Sequence, residues 1–251
     1  MTIEAVIFDV DGTIADTEEG HRTAFNLAFR RFKLNWNWDR ETYRKLLNVT
    51  GGKERLASFI DGLSLNGVEK RRLLARLPDI HAEKTRFYSS MAGDGGIPLR
   101  PGVARLIADA KGARLKVGIA STTTRVNIEA LLRATLGKDG IGLFDCIVCG
   151  DQVASKKPAP DVYLRTLEGL GVDADNAIAI EDSPNGLRSA AAAGVRTVVT
   201  PTFWTEGSDF AAASVVLPHL GDPWQPISGE PGRRLHAAAW VTLDELSAVA
   251  A

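Results

Sequence analysis

The chain of 251 residues is poor in cysteine, methionine and tyrosine, with two, two and three of them, and aromatic residues make up only 7% of it. Each scarcity excludes something. Two cysteines cannot staple a secreted disulfide framework or complete a four-cysteine zinc site. They stand at Cys146 and Cys149. A strand sends side chains three apart to opposite faces, so the pair reads as two small core residues. No apolar run approaches membrane-spanning length, and no basic-then-apolar signal pattern opens the chain. With an apolar strand beginning at Ile3, no targeting peptide and no membrane partner are expected, and the expected place is the cytoplasm. Charge of one sign is missing too: the net charge is −1. The chain is not strongly basic and has no aromatic stacking platform, so a nucleic-acid partner is not expected. There are no internal repeats and no low-complexity tract.

What is present is ordinary in bulk: 45% apolar and 24% charged residues, as in a globular protein. The length allows one large domain, or a core with a small insert. The charge is uneven along the chain. Residues 16–94 hold 15 Lys and Arg against 11 Asp and Glu, a net +4, and the remainder carries −5. A basic segment beside an acidic one can receive an anionic ligand between them.

The first thirteen residues organise the rest. Ile3-Glu4-Ala5-Val6-Ile7-Phe8 is a short β-branched run that reads as a buried strand. Asp9 and Asp11 follow where it stops, with Gly12 as punctuation. Residues two apart on a strand point the same way, so the two carboxylates can share one mouth. Held together they repel, unless a cation or a shared proton relieves them.

From Asp16 to about Met91 helical spacing replaces strand spacing. It predicts helices over His21–Phe32, Tyr43–Leu47, Arg55–Ile60, Glu69–Leu77 and Ile80–Ser90. Gly93-Asp94-Gly95-Gly96 is turn chemistry and reads as the return linker. The expected division is therefore a core of residues 1–15 and 95–251 with an all-helical cap of residues 16–94. After the linker, strands at Lys116–Ala120, Cys146–Cys149, Ala177–Ile180 and Arg196–Val199 alternate with helical patterns. That alternation predicts an α/β fold, a Rossmann-like parallel sheet covered on both faces. Residues 200–234 read as a long irregular segment. Trp240–Leu246 reads as a closing helix with Thr242 as its cap.

In such sheets ligands bind beyond the carboxyl ends of the strands. The residues there are chemical: Asp9 and Asp11; Ser121-Thr122-Thr123-Thr124; Lys156-Lys157-Pro158; and Glu181-Asp182-Ser183. Each alone has a bland reading as a cap or a turn, but all four gather at one rim. Magnesium prefers hard oxygen ligands, which Asp9, Asp182 and a carbonyl near Asp11 can supply. A cation and a nearby lysine would keep Asp9 ionised and nucleophilic. Asp11, with its side chain off the metal, is free to trade protons. Ser121 and Lys157 can hold a phosphoryl group, whose transfer needs positioning and charge neutralisation.

These four motifs resemble those of the haloacid-dehalogenase-like superfamily, in its order and spacing, over nearly the whole chain. The resemblance implies a core with a helical cap inserted after the first motif. It implies Asp9 as the nucleophile forming an aspartyl-phosphate and Asp11 as the acid and base. It implies that Ser121 and Lys157 bind the transferring phosphate. Asp9, the Asp11 carbonyl and Asp182 are the implied Mg2+ ligands, with Glu181 acting through water. Asp11 argues against a dehalogenase, since the resemblance implies that those enzymes lack an acid there.

Within the cap, Val49-Thr50-Gly51-Gly52-Lys53-Glu54-Arg55 is the most chemical stretch: two glycines can expose N–H groups as an anion nest beside Lys53 and Arg55. With Asp16-Thr17-Glu18 and His21 it is similar to the CbbY-type sugar phosphatases, relatives of β-phosphoglucomutase. That resemblance implies a substrate face of Glu18, His21, Gly52, Lys53, Arg55 and Lys84, joined from the core by Thr122 and Arg125. It implies a sugar bisphosphate, xylulose 1,5-bisphosphate, an inhibitory by-product of Rubisco, as substrate of a monomeric phosphatase. The alternatives are a phosphomutase using the same residues and a non-catalytic sugar-phosphate-binding protein.

Overall fold

The computed structural model describes residues 3–233, 235 and 239–249. Its sheet is parallel throughout, with strands β1 (Ala5–Phe8), β2 (Lys116–Ala120), β3 (Cys146–Val148), β4 (Ala177–Glu181), β5 (Arg196–Val199) and β6 (Val215–Val216). The spatial order is β3-β2-β1-β4-β5-β6. β1 is central, and all four of its side chains are buried. They alternate between two layers: Val6 and Phe8 join one apolar cluster, Ala5 and Ile7 the other. Helices α5 (Val103–Gly112) and α6 (Arg125–Leu136) supply the first cluster. Helices α7 (Asp161–Leu170) and α8 (Pro184–Ala192) supply the second. This doubly covered sheet explains why its strands read as continuous apolar runs. The two cysteines are unpaired and, as their spacing required, pack on opposite faces of the sheet.

After β1 the chain leaves the sheet for four helices: α1 (Glu18–Arg31), α2 (Arg40–Leu46), α3 (Gly52–Asp61) and α4 (Gly67–Gly93). They share an aromatic core of Phe25, Phe29, Trp38, Tyr43 and aliphatic neighbours. The sequence predicted five helices here. The last two are one, because α4 runs straight through Pro78. A proline in a helix interior costs about 3 kcal/mol. Its neighbours Leu77 and Ile80 are both buried, and burying two such side chains contributes about 1.5–3 kcal/mol each. Tertiary burial therefore outweighs the break that local chemistry suggests. The start of α4 is fixed by a capping box between Asn66 and Glu69.

The chain returns beside its exit. Ala15 pairs with Leu99 in an antiparallel bridge, and the Arg100 N–H donates to the Ile14 carbonyl at 2.9 Å. The segment expected to be irregular contains β6 and helix α9 (Gly229–Arg233). β6 is two residues long, too short to leave a period in the sequence. The closing helix α10 (Leu243–Val249) is capped as expected, with the Glu245 N–H donating to Thr242 Oγ1 at 3.1 Å. No helix among the described residues is long and apolar enough to cross a membrane.

If burial alone carries α4 through its proline, Pro78→Ala restores a backbone donor at no packing loss. The expected outcome is a gain of about 1–3 kcal/mol and a Tm higher by several degrees. Calorimetry checks it, and a lower Tm would mean that the pyrrolidine ring itself supports the packing.

Candidate active site

The strand order brings the ends of β1 and β4 side by side, and β1 is where the connections reverse direction, the place where such sheets open a crevice. The Asp9 N–H donates to the Ile180 carbonyl at 3.0 Å, seating Asp9 at the rim. Oxygens of Asp9, Glu181 and Asp182 all lie within 4.8 Å of one another, and all three residues are buried. Lys157, from the loop between β3 and α7, donates 2.6 Å bonds to Asp9 Oδ1 and to Glu181 Oε1. The Tyr163 hydroxyl donates to the same Glu181 oxygen at 2.6 Å. Two glycines make room for the cluster. A Cβ at Gly12, whose φ is +89°, would overlap the Asp182 carboxylate, and one at Gly186 would overlap that of Glu181.

Three buried carboxylates around one ammonium leave excess negative charge. Burial is the largest influence on Asp9 and pushes it up to about 8, against the pull of Lys157. Burial and the neighbouring Asp9 and Glu181 raise Asp182 well above the carboxylate range. Burial alone would lower the Lys157 ammonium, but Asp9 and Glu181 outweigh it and hold it above the ordinary lysine value. Hard oxygens with unneutralised charge fit a divalent cation, which would let Asp9 and Asp182 ionise together.

Asp11 faces away from that cluster, toward the helices. Its Oδ1 accepts from Thr17 Oγ1 at 2.6 Å and lies 3.0 Å from His21 Nε2. On the far side of the ring, His21 Nδ1 is 2.8 Å from Lys84 Nζ. An ammonium has no acceptor, so Nδ1 accepts from Lys84 and Nε2–H donates to Asp11. The ring is stacked on Tyr88 at 3.8 Å between centroids. Burial would raise Asp11, but His21, Thr17 and Lys84 together pull it down to about 2. Burial, chiefly, brings Lys84 down to about 8.

Above the rim lies a cleft of about 660 Å³. Glu18, His21, Gly52, Lys53, Arg55 and Lys84 line it from the helices, and Thr122 and Lys157 from the sheet. Gly51 caps α3, so the first turn of that helix opens at the cleft wall. Ser121 is buried at the end of β2 beneath the lining, where its Oγ accepts from the Thr123 N–H at 3.3 Å. Arg125 stands apart from the other expected residues. As the first residue of α6 it runs along an exposed face, its Nε donating to Glu129 Oε1 at 2.8 Å, and it does not line the cleft.

Several site residues escaped the sequence reading. Tyr43 donates to Glu18 Oε2 at 2.7 Å and accepts from Arg55 Nη1 at 3.0 Å, so one phenol fixes both charged groups. The sequence reading has it only as the first residue of a predicted helix. His81 lines the cleft with Nε2 only 2.6 Å from where a Cβ on Gly52 would stand. Asn185 also escaped it and bonds Thr50 Oγ1 at 2.8 Å, while Lys156, already named at the rim, bonds Glu54 across the cleft at 2.7 Å. Only a fold brings such distant residues together.

A family model described as haloacid dehalogenase-like hydrolase matches residues 6–200. The chain is 49% identical to the plasmid-encoded protein CbbY of Cupriavidus necator over 98% of its own length and 96% of that protein. It is 30% identical to the β-phosphoglucomutase of Bacillus subtilis, over 78% of this chain and 82% of that one. Among solved structures it resembles an Asp-to-Asn variant of CbbY from Rhodobacter sphaeroides in complex with xylulose 1,5-bisphosphate. The TM-score is 0.80 and the identity 45%, over 87% of this chain and 95% of that one.

Two outcomes follow from this geometry. Gly186→Ala should push the Glu181 carboxylate out of place, lowering stability by about 2–4 kcal/mol and weakening Mg2+ binding in a calorimetric titration. Unchanged binding would show that Glu181 does not shape the cation site. His81 is the second case: burial first, then Lys84, Lys53 and Lys156, lower it to about 3. Its folded pKa lies below the unfolded one, so below about pH 6.5 the unfolded chain takes a proton that the folded imidazole refuses. The folded state should lose up to about 1.4 kcal/mol per pH unit from this group as pH falls from about 6.5 toward 4. His81→Gln should flatten that slope in urea midpoints, and an unchanged slope would mean the ring already carries its proton.

Proposed function

The chain belongs to the haloacid dehalogenase-like hydrolases and is a phosphatase of that family, and from that premise we propose that it removes a phosphate from xylulose 1,5-bisphosphate with Mg2+ as cofactor. The observation that carries the reading is the division of labour between two aspartates two residues apart. Asp9 lies with Glu181, Asp182 and Lys157, while Asp11 turns to Thr17 and His21. Asp9 is buried on the side where a cation and an ammonium can keep it nucleophilic, and Asp11 is buried where its proton can be managed.

Asp9, Asp182 and the Asp11 carbonyl would hold the cation, with Glu181 through water. When bound, it neutralises charge on the phosphoryl oxygens and on the carboxylates. An Asp9 oxygen attacks phosphorus, the bond to the sugar oxygen breaks, and Asp11 gives that oxygen a proton. Water then attacks the aspartyl-phosphate, Asp11 takes its proton, the Asp9–phosphorus bond breaks and inorganic phosphate leaves. Lys157 and Ser121 hold the transferring group. The depressed pKa of Asp11 suits the base half of this cycle. For the acid half, the His21 ring between Asp11 and Lys84 supports proton delivery.

The bisphosphate requires a second anion site. The opening turn of α3, with Lys53 and Arg55 on the cleft wall, supports one. The helices α1–α4 thus act as the specificity cap of a monomeric enzyme, hinged at Asp16-Thr17 and Gly93-Asp94-Gly95. Unpaired cysteines support a cytoplasmic setting. The likeness to β-phosphoglucomutase supports a mutase as the second reading. It would return the phosphate to sugar rather than to water.

The test is phosphate release from a panel of sugar mono- and bisphosphates, with and without Mg2+. Release from xylulose 1,5-bisphosphate should need Mg2+ and vanish in Asp9→Asn. Asp11→Asn should lower turnover by about 10²–10⁴. Isomerised sugar phosphate without net release would establish the mutase. Release from another sugar alone would remove the substrate and keep the chemistry.

A further inference from the structure

The aromatic core of the inserted helical segment contains one residue from outside residues 16–94. Trp204, in the loop after β5, is 5% exposed and packs in the cluster of Phe25, Phe29, Trp38 and Tyr43. Its ring meets that of Tyr43 edge-on, with centroids 5.5 Å apart and an 86° interplanar angle. Tyr43 is the phenol that holds Glu18 and Arg55, and the Arg55 guanidinium lies 5.2 Å over the Tyr43 ring. A continuous line of contact therefore runs from the sheet, through one indole, to two charged groups on the cleft wall.

The loop is built to present that indole rigidly. Its root is tied to the reacting rim, where the Thr200 N–H donates to the Glu181 carbonyl at 2.7 Å. Arg100 donates to the Thr200 carbonyl at 2.6 Å and to the Pro201 carbonyl at 3.0 Å, and also to the Gly12 carbonyl. Its tip is closed by hydroxyls. The Trp204 N–H donates to Thr202 Oγ1 at 3.2 Å, the Thr202 N–H to Thr205 Oγ1 at 3.0 Å, and the Glu206 N–H to the Thr202 carbonyl at 2.8 Å. From the helical side, Arg44 donates to the Glu206 carbonyl at 2.5 Å and lies 5.7 Å over the Phe203 ring. Two further contacts across the cleft, Lys156–Glu54 and Asn185–Thr50, are polar and partly exposed, so water and salt weaken them. The indole contact is buried and apolar and is not screened in this way.

We propose that Trp204 is a positioning residue for substrate recognition: a core-borne anchor that sets the seat of the inserted helices and, through Tyr43, the placement of Glu18 and Arg55 on the cleft wall. The proposal rests on the phosphatase reading for its substrate but not for its geometry. It makes selectivity a joint property of the β5 loop and the helices. A substrate large enough to reach Glu18 and Arg55 should feel the loss of the anchor. A small ester that touches only the rim should feel it less.

The test compares wild type, Trp204→Phe and Trp204→Ala by amide hydrogen exchange. It also compares phosphate release from xylulose 1,5-bisphosphate and from para-nitrophenyl phosphate. Trp204→Ala should speed exchange in α2 and α3 while β1, β2 and β4 keep their protection. The ratio of kcat/KM for the bisphosphate to that for the nitrophenyl ester should fall by about tenfold or more, mainly through KM. Trp204→Phe should recover part of both effects. Equal losses on both esters with faster exchange throughout the sheet would overturn the proposal, reducing Trp204 to general packing. Unchanged exchange and an unchanged ratio would overturn it as well. If wild type acts on neither ester, the phosphatase reading fails, and faster exchange confined to α2 and α3 would still support the anchor.

Discussion

One ammonium shared between two buried carboxylates is the constraint on which the rest of the site depends. Lys157 bonds both Asp9 and Glu181 at 2.6 Å, and Asp182 is close enough to add its own repulsion. A buried charge left without its partner costs several kcal/mol, more than most single interactions in a domain supply. The surroundings answer that cost in detail. Tyr163 takes up a remaining lone pair of Glu181, Gly12 and Gly186 let the carboxylates approach backbone, and the parallel sheet sets the spacing of the strand ends. Even so, one positive charge does not balance three negative ones, and burial, with that repulsion added to it, pushes Asp9 and Asp182 up. Three hard oxygens so placed could hold a dication.

The second aspartate obeys different physics at a distance of two residues. Asp11 is as crowded as Asp9, but its neighbours are a hydroxyl, an imidazole and, beyond the ring, an ammonium. The same burial that raises one carboxyl is overridden at the other. Two carboxyls in one mouth thus sit in opposed environments. The partners of Asp11 come from α1 and α4, so its electrostatics depend on helices that also form the cleft wall.

Much of this was legible in the residues. β2 and β5 have the bounds their sequences predicted, and the acidic cluster gathers at the strand ends, as expected for a parallel sheet. Asp9, Asp11, Lys157, Glu181 and Asp182 each announced themselves by type and position. Three features did not. The break expected between Leu77 and Ile80 is absent, because tertiary burial carries α4 through Pro78. Arg125, which the resemblance set on the substrate face, bonds Glu129 one helical turn on, on the exposed side. The loop of residues 200–209 has no period, and its Trp204 gains meaning only against Tyr43, which stands far away in the sequence. Periodicity reports which way a side chain faces along one element, and says nothing of what a second element will set against it.

The paired crossing at Ala15 and Leu99 bears on how such chains diversify. An insertion that departs and returns at one spot can be replaced whole without rethreading the sheet, so one reacting rim can be inherited beneath many different roofs. Here the inheritance is entailed. A foreign roof would arrive without a slot for the indole that the sheet extends to it, and the β5 loop would have to be inherited with it.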